Sequence, residues 1–160
     1  GALDVYAHER VLKSLYKRFD YIFKTENKYP GVLTLNTHSI SDTPFSIESK
    51  TVVPINVLHH LLPIFGYRID GFAYITDAKT VSDIEVEKLQ NLDILVINAL
   101  RIEPHISHFN LEEALDFIKL VNPKRAFLTH ISHHLGFHKD IEKNLPENVY
   151  LAYDQLQISL

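Results

Sequence analysis

The segment Ile94-Leu95-Val96-Ile97 constrains the fold more than any other stretch of this chain. Successive side chains of a strand point to opposite faces, so four apolar residues in a row are apolar on both. Such a strand belongs inside a sheet whose two faces are covered. The sequence after it supplies a cover. Asn110-Leu111-Glu112-Glu113 has the spacing of a capping box. It opens a predicted helix with Leu111, Ala114, Leu115, Ile118 and Val121 on one face, ended by Asn122-Pro123. Arg125 to Leu128 is the next predicted strand. Strand, helix and strand in this order define an α/β (α+β) layer architecture. At 160 residues, 46% of them hydrophobic, the chain is expected to form one domain over residues 1–160, with a substantial core.

Upstream, Val11, Leu12, Leu15, Tyr16 and Phe19 follow the three-four spacing and predict a helix over Val5 to Phe23. Tyr29-Pro30-Gly31 breaks the chain, Val32 to Ile40 reads as a strand, and Ser41 to Pro44 as a turn. Phe45 to Leu58 is β-rich, with Pro54 arguing for an edge or a bend. Ile64 to Ile69 and Phe72 to Thr76 form a hairpin across Asp70-Gly71, a favoured two-residue turn. Ser82-Asp83-Ile84-Glu85 fits a second capping box, opening a helix to about Leu89. A short helix ending over Ile141 to Leu145 follows, then strands at Val149 to Leu151 and Leu156 to Ile158.

Several function classes are disfavoured by composition. The net charge is −4 and there is no basic block, so nucleic acid is not indicated as a partner. No apolar run approaches the length of a membrane span, and no signal-peptide pattern opens the chain. Cysteine is absent, which removes disulfide and thiolate chemistry and fits a cytoplasmic location. Methionine is absent even at position 1, as expected of a trimmed chain.

Histidine is the outlier, with ten in the chain. His59 follows a predicted strand, Asp77 follows Phe72 to Thr76, and His130 follows Arg125 to Leu128. Strand ends hold side chains rigidly while leaving them open to a cleft. Two imidazoles and a carboxylate from such ends suit zinc, manganese or iron. The bland alternative makes both histidines polar loop residues and Asp77 a turn cap. His108 precedes the Asn110 helix, where exposed N–H groups favour an anion; an ordinary pre-helix residue is the alternative. His133 is close enough to His130 to support it, and His134 and His138 are expected to be exposed.

Phe65-Gly66-Tyr67-Arg68-Ile69, Phe72-Ala73-Tyr74-Ile75-Thr76-Asp77 and Leu128-Thr129-His130-Ile131-Ser132-His133, in that order, resemble the C-terminal part of metallo-β-lactamase-fold hydrolases. The similarity is greatest to the cyclic-phosphate phosphodiesterases of phosphonate metabolism. It implies an αββα sandwich and two divalent metal ions, zinc or manganese. In that family a histidine shortly before the Gly-Tyr strand binds one metal; His59 or His60 qualifies, with His59 preferred for its distance to Gly66. By the same resemblance Asp77 bridges both metals and His130 binds the second. His108 contacts the scissile phosphate or protonates the leaving group. The implied nucleophile is a metal-bridging hydroxide, and the substrate a small cyclic phosphate ester.

Two departures from the family pattern stand out. The His-x-His-x-Asp-His string that supplies the remaining ligands is absent from these 160 residues, and Gln155 stands where relatives carry glycine. The chain is therefore expected to begin after that motif, to bind metal weakly and hydrolyse little alone, and to self-associate through a sheet face left uncovered. A transfer-RNA 3′-processing type of nuclease and a non-catalytic interaction module are the competing readings.

Overall fold

The computed structural model describes residues 1–24, 26 and 30–159. They group into two compact units, 1–45 and 46–160. In the first unit, strand β1 (Leu3–His8) pairs in parallel with β2 (Leu35–Ile40), and helices α1 (Glu9–Arg18) and α2 (Asp20–Phe23) follow β1. The predicted helix from Val5 thus begins four residues later, at Glu9. Val5 to His8 are claimed by β2, one partner for each residue, and this ladder overrides the local helical spacing. The predicted strand from Val32 likewise starts at Leu35, where that ladder starts. Of the predicted break, Tyr29 lies outside the described residues, while Pro30 and Gly31 form a turn.

The second unit is organised by one eight-stranded sheet. Its strands are β3 (Phe45–Ile47), β4 (Lys50–His59), β5 (Leu62–Ile69), β6 (Phe72–Ile75), β7 (Thr80–Val81), β8 (Ile94–Asn98), β9 (Arg125–Thr129) and β10 (Val149–Leu151). The order is β10-β9-β8-β6-β5-β4-β3, with β7 pairing on β4. The predicted hairpin forms β5 and β6, and Asp70 takes the left-handed backbone its turn needs. A Cβ at Gly71 would meet the half-exposed Asp93 carboxylate, which would have to swing aside.

Every residue of β8 is buried, as its apolar run predicts. The register gives the sheet two distinct faces. Ala73, Ile75, Leu95, Ile97, Ala126 and Leu128 belong to the main core, together with Ala114, Phe117, Ile118 and Val121 of helix α4 (Leu111–Val121). Ile94, Val96 and Phe127 form a smaller cluster with Phe72 on the opposite face. Leu156 and Ile158 join that cluster; the predicted closing strand does not form, and these side chains contribute by packing rather than by pairing.

Pro54 sits within β4, opposite Tyr67. Asn56, two residues on and so facing the same side, donates its N–H to Glu85 Oε2 at 2.8 Å rather than to a strand. That side of β4 is locally an edge, which tolerates a residue with no N–H. The same contact explains why the predicted Ser82 capping box fails. Helix α3 (Asp83–Glu87) begins after Ser82, but no side-chain cap bond forms. Glu85 is instead buried, bound to Asn56 and to Lys88 Nζ. Asn110 and Glu113 do close their capping box, and Asn122 ends α4 in the left-handed conformation. Helix α5 spans His138–Glu142, a few residues earlier than predicted.

Candidate metal centre

Strand direction brings distant residues together. β4 runs antiparallel to β5, and β5 antiparallel to β6, so β4 and β6 point the same way. β8 and β9 run parallel to β6. The C-terminal ends of β4, β6, β8 and β9 therefore share one edge of the sheet, the position where open α/β sheets hold ligands. His59 is the last residue of β4, Asp77 lies two residues past β6, and His130 follows β9 directly. His108 comes from the connection between β8 and α4.

These four side chains meet. One ligand atom each from His59, Asp77 and His108 lies within 4.8 Å of the others. Asp77 Oδ1 stands 3.1 Å from His108 Nε2 and 3.4 Å from His130 Nε2. The His108 ring stacks on His130 at 4.8 Å and meets His59 edge-on at 4.7 Å. Of the two adjacent histidines near the Gly-Tyr strand, His59 joins the group. His60 occupies the turn between β4 and β5, at φ +56°. His108 is buried, and its pKa is lowered below the ordinary value. Burial is the main cause, the neighbouring charges of His130 and His59 add to it, and the Asp77 carboxylate opposes it.

Asp77 and His130 both take left-handed backbone, at φ +60° and +55°. Such residues are uncommon outside glycine, and they persist where surrounding bonds hold them. Here the bonds are identifiable. Asn98, fully buried at the end of β8, accepts from Ala78 N–H at 2.7 Å and donates from Nδ2 to Ala78 O at 2.9 Å. The same Ala78 carbonyl accepts from Phe109 N–H, Lys79 N–H donates to Leu58 O, and Ala99 N–H donates to Thr129 O. Each bond joins chain neighbours of His59, Asp77, His108 or His130, so the four loops form one backbone network.

Sequence reasoning missed Asn98 and the partners of His108. A polar residue ending an apolar run was the available signal for Asn98, since a buried amide must find partners. His105 Nδ1 lies 3.1 Å from His108 Nδ1, and Ser107 Oγ lies 2.9 Å from the same atom. His133 is placed against His134, ring to ring at 3.9 Å. Beside His130, a cleft of about 260 Å³ is lined by Thr129, Ile131, Ala152, Tyr153 and Asp154. Gln155, next in the chain, adopts φ +69°, the conformation that favours glycine.

The donor set fits a divalent metal. Imidazole nitrogens with a carboxylate oxygen are the usual ligands of zinc and suit manganese as well. The beta-lactamase superfamily domain matches residues 1–131, and the chain belongs to that family. A crystal structure of a diphosphatase from the PhnP family superposes with a TM-score of 0.90, 29% identity, all of this chain and 59% of that one. Human tRNase Z, short form, superposes at 0.67 with 18% identity, covering 99% of this chain and 68% of that one, and shares the fold. An octanoyltransferase of Porphyromonas gingivalis is 37% identical over 97% of this chain. This chain spans about a third of that relative's length (32%). The mixed α/β metallo-β-lactamase fold implied by the sequence is thus present. Among the described residues no helix is long and apolar enough to cross a membrane.

Proposed function

We propose that the chain carries part of the active site of a metal-dependent hydrolase that cleaves small phosphodiesters, cyclic phosphate esters among them. The observation that carries this is the Asp77 carboxylate, held at a strained backbone position with the imidazoles of His108 and His130 against one of its oxygens. Asp77 would lie between two metal ions, with His59 on one and His130 on the other. When bound, the metals lower the pKa of a water and neutralise phosphate charge. His108 presents Nε2 to the same space and hands a proton to the leaving oxygen. The burial that lowers its pKa makes its imidazolium a readier donor. The cleft beside His130 is small for a ligand pocket, which suits a small ester better than a folded RNA.

The 29% identity to a diphosphatase favours a second reading, hydrolysis of a phosphoanhydride at the same residues. The octanoyltransferase name does not transfer in the same way, because two-thirds of that relative lies outside the match.

The test is hydrolysis of bis(p-nitrophenyl) phosphate, an organic diphosphate and a structured RNA by the longer protein that carries the His-x-His-x-Asp-His string, each at saturating manganese or zinc. Cleavage of the diester is expected to be fastest. Asp77→Asn should reduce it by more than the roughly 10- to 100-fold that losing a ligand's hydrogen-bond partner costs. Faster cleavage of the diphosphate would favour the second reading, faster cleavage of RNA a nuclease, and no cleavage of any a non-catalytic module. With Asp77 shared, the chain offers each metal few protein ligands, whereas zinc sites use three or four. Isothermal titration should accordingly find weak zinc binding to the chain alone; tight stoichiometric binding would count against the shared arrangement.

A further inference from the structure

One wall of the cleft beside His130 carries side chains that the metal chemistry does not use. The lining is Thr129, His130, Ile131, Ala152, Tyr153 and Asp154. Among the described residues it holds a single carboxylate, Asp154, and no lysine or arginine. Asp154 forms no ion pair with any described residue. An anionic group would be repelled there, so the cleft suits a part of the substrate other than its phosphate.

Tyr153 is displayed rather than buried. It keeps 62% of its surface exposed, although its backbone is fixed on both sides. Ala152 N–H donates to Leu128 O at 2.8 Å, which ties this segment to β9 two residues before His130. Leu156 N–H donates back to Tyr153 O at 3.1 Å and closes the turn that holds Gln155. The His138 ring stands edge-on to the Tyr153 ring at 6.2 Å, and His138 in turn meets Glu142 at 3.2 Å. Phe137, the residue before His138, is a second displayed ring at 82% exposure. Single exposed apolar side chains are ordinary. A fixed, exposed tyrosine beside an unpaired carboxylate in the wall of a cleft is a more specific combination. A ring face attracts a cation through its quadrupole, and a carboxylate attracts it through charge. A neutral alkyl group would gain nothing from Asp154.

We propose that this cleft is a cation subsite, in which Tyr153 and Asp154 receive a quaternary ammonium carried on the alcohol side of the substrate. A choline phosphodiester then lies with its phosphate toward Asp77 and His130 and its ammonium against Tyr153. Tyr153 supplies the ring face and Asp154 the opposing charge. The place of the phosphate rests on the hydrolase reading above; the binding of the cation does not.

Choline chloride titrated into the isotopically labelled 160-residue chain, without metal, tests the subsite by itself. Saturable shifts in the NMR signals of Tyr153, Asp154 and His138 are expected. The uncharged carbon isostere of choline, 3,3-dimethylbutan-1-ol, should produce none at the same concentrations. Tyr153→Phe should keep the binding. Tyr153→Leu and Asp154→Asn should each weaken it about 5-fold, which corresponds to about 1 kcal/mol for a cation–π contact at an exposed site. No saturable shift, an equal response to the isostere, or shifts confined to the Asp77 and His108 loops overturns the proposal. Hydrolysis is read in the longer protein that carries the His-x-His-x-Asp-His string, at saturating manganese or zinc. There p-nitrophenyl phosphocholine should show a KM about 5-fold below that of p-nitrophenyl 3,3-dimethylbutyl phosphate, with similar kcat. Tyr153→Leu should remove the difference. Equal KM values in an active enzyme overturn the role of the subsite in substrate selection. Choline binding with hydrolysis of neither ester would instead sink the phosphodiesterase reading and leave the cation subsite standing.

Discussion

At the scale of single residues, two side chains outside the proposed ligand set govern the site. Asn98 spends both ends of its amide on Ala78, next to Asp77, and no buried side-chain polar atom among the described residues lacks a partner. Asn98→Ala strips two bonds from Ala78; the carbonyl keeps Phe109 N–H, but the N–H is left unsatisfied, which costs about 1–3 kcal/mol. Urea denaturation should show a loss in that range or above, with the slope unchanged. His108 gives the metal-free chain a pH signature. Burial lowers its folded pKa beneath the ordinary 6.5, so below that pH the unfolded chain takes up the proton more readily. The stability associated with neutral His108 is complete above pH 6.5 and falls away as the pH drops through the folded pKa. Thermal melts between pH 8 and 5 should follow this course, and His108→Gln should flatten it.

At the scale of elements, the two capping boxes form a natural comparison. Both were legible as spacing, yet only Asn110 and Glu113 close theirs. Glu85 is drawn instead to the N–H of Asn56, which Pro54 and the local edge leave without a strand. A cap is a local contest between partners, and spacing cannot rank a partner that arrives from 29 residues away. Asn110→Ala should therefore cost about 1 kcal/mol in thermal or chemical melts, whereas Ser82→Ala should cost little. Gly66 tests β5 against β6. A Cβ there would stand 2.7 Å from Ile75 Cγ1 and 3.1 Å from the Tyr74 carbonyl. Gly66→Ala is expected to destabilise by about 1–3 kcal/mol, measured by the same melts.

At the scale of the whole molecule, the eight-stranded sheet is unequally covered. Its helix-bearing face holds the main core, while its other face holds Ile94, Val96 and Phe127 with Tyr74 and Tyr150 still well exposed. Apolar sheet surface favours association, and we expect light scattering to find a dimer or larger species at micromolar concentration; a stable monomer would oppose this.

Much of this architecture is written locally. The both-faced apolar run of β8, the Asp70-Gly71 hairpin, the Asn110 cap and the strands that end at His59, Asp77 and His130 were all readable, because periodicity and turn chemistry act over a few residues. Tertiary structure alone decided that Val5 to His8 pair as a strand, and which polar groups Asn98, His105 and Ser107 meet. Those outcomes depend on parallel register and on which buried polar groups find each other across long stretches of chain, and no local pattern carries that information.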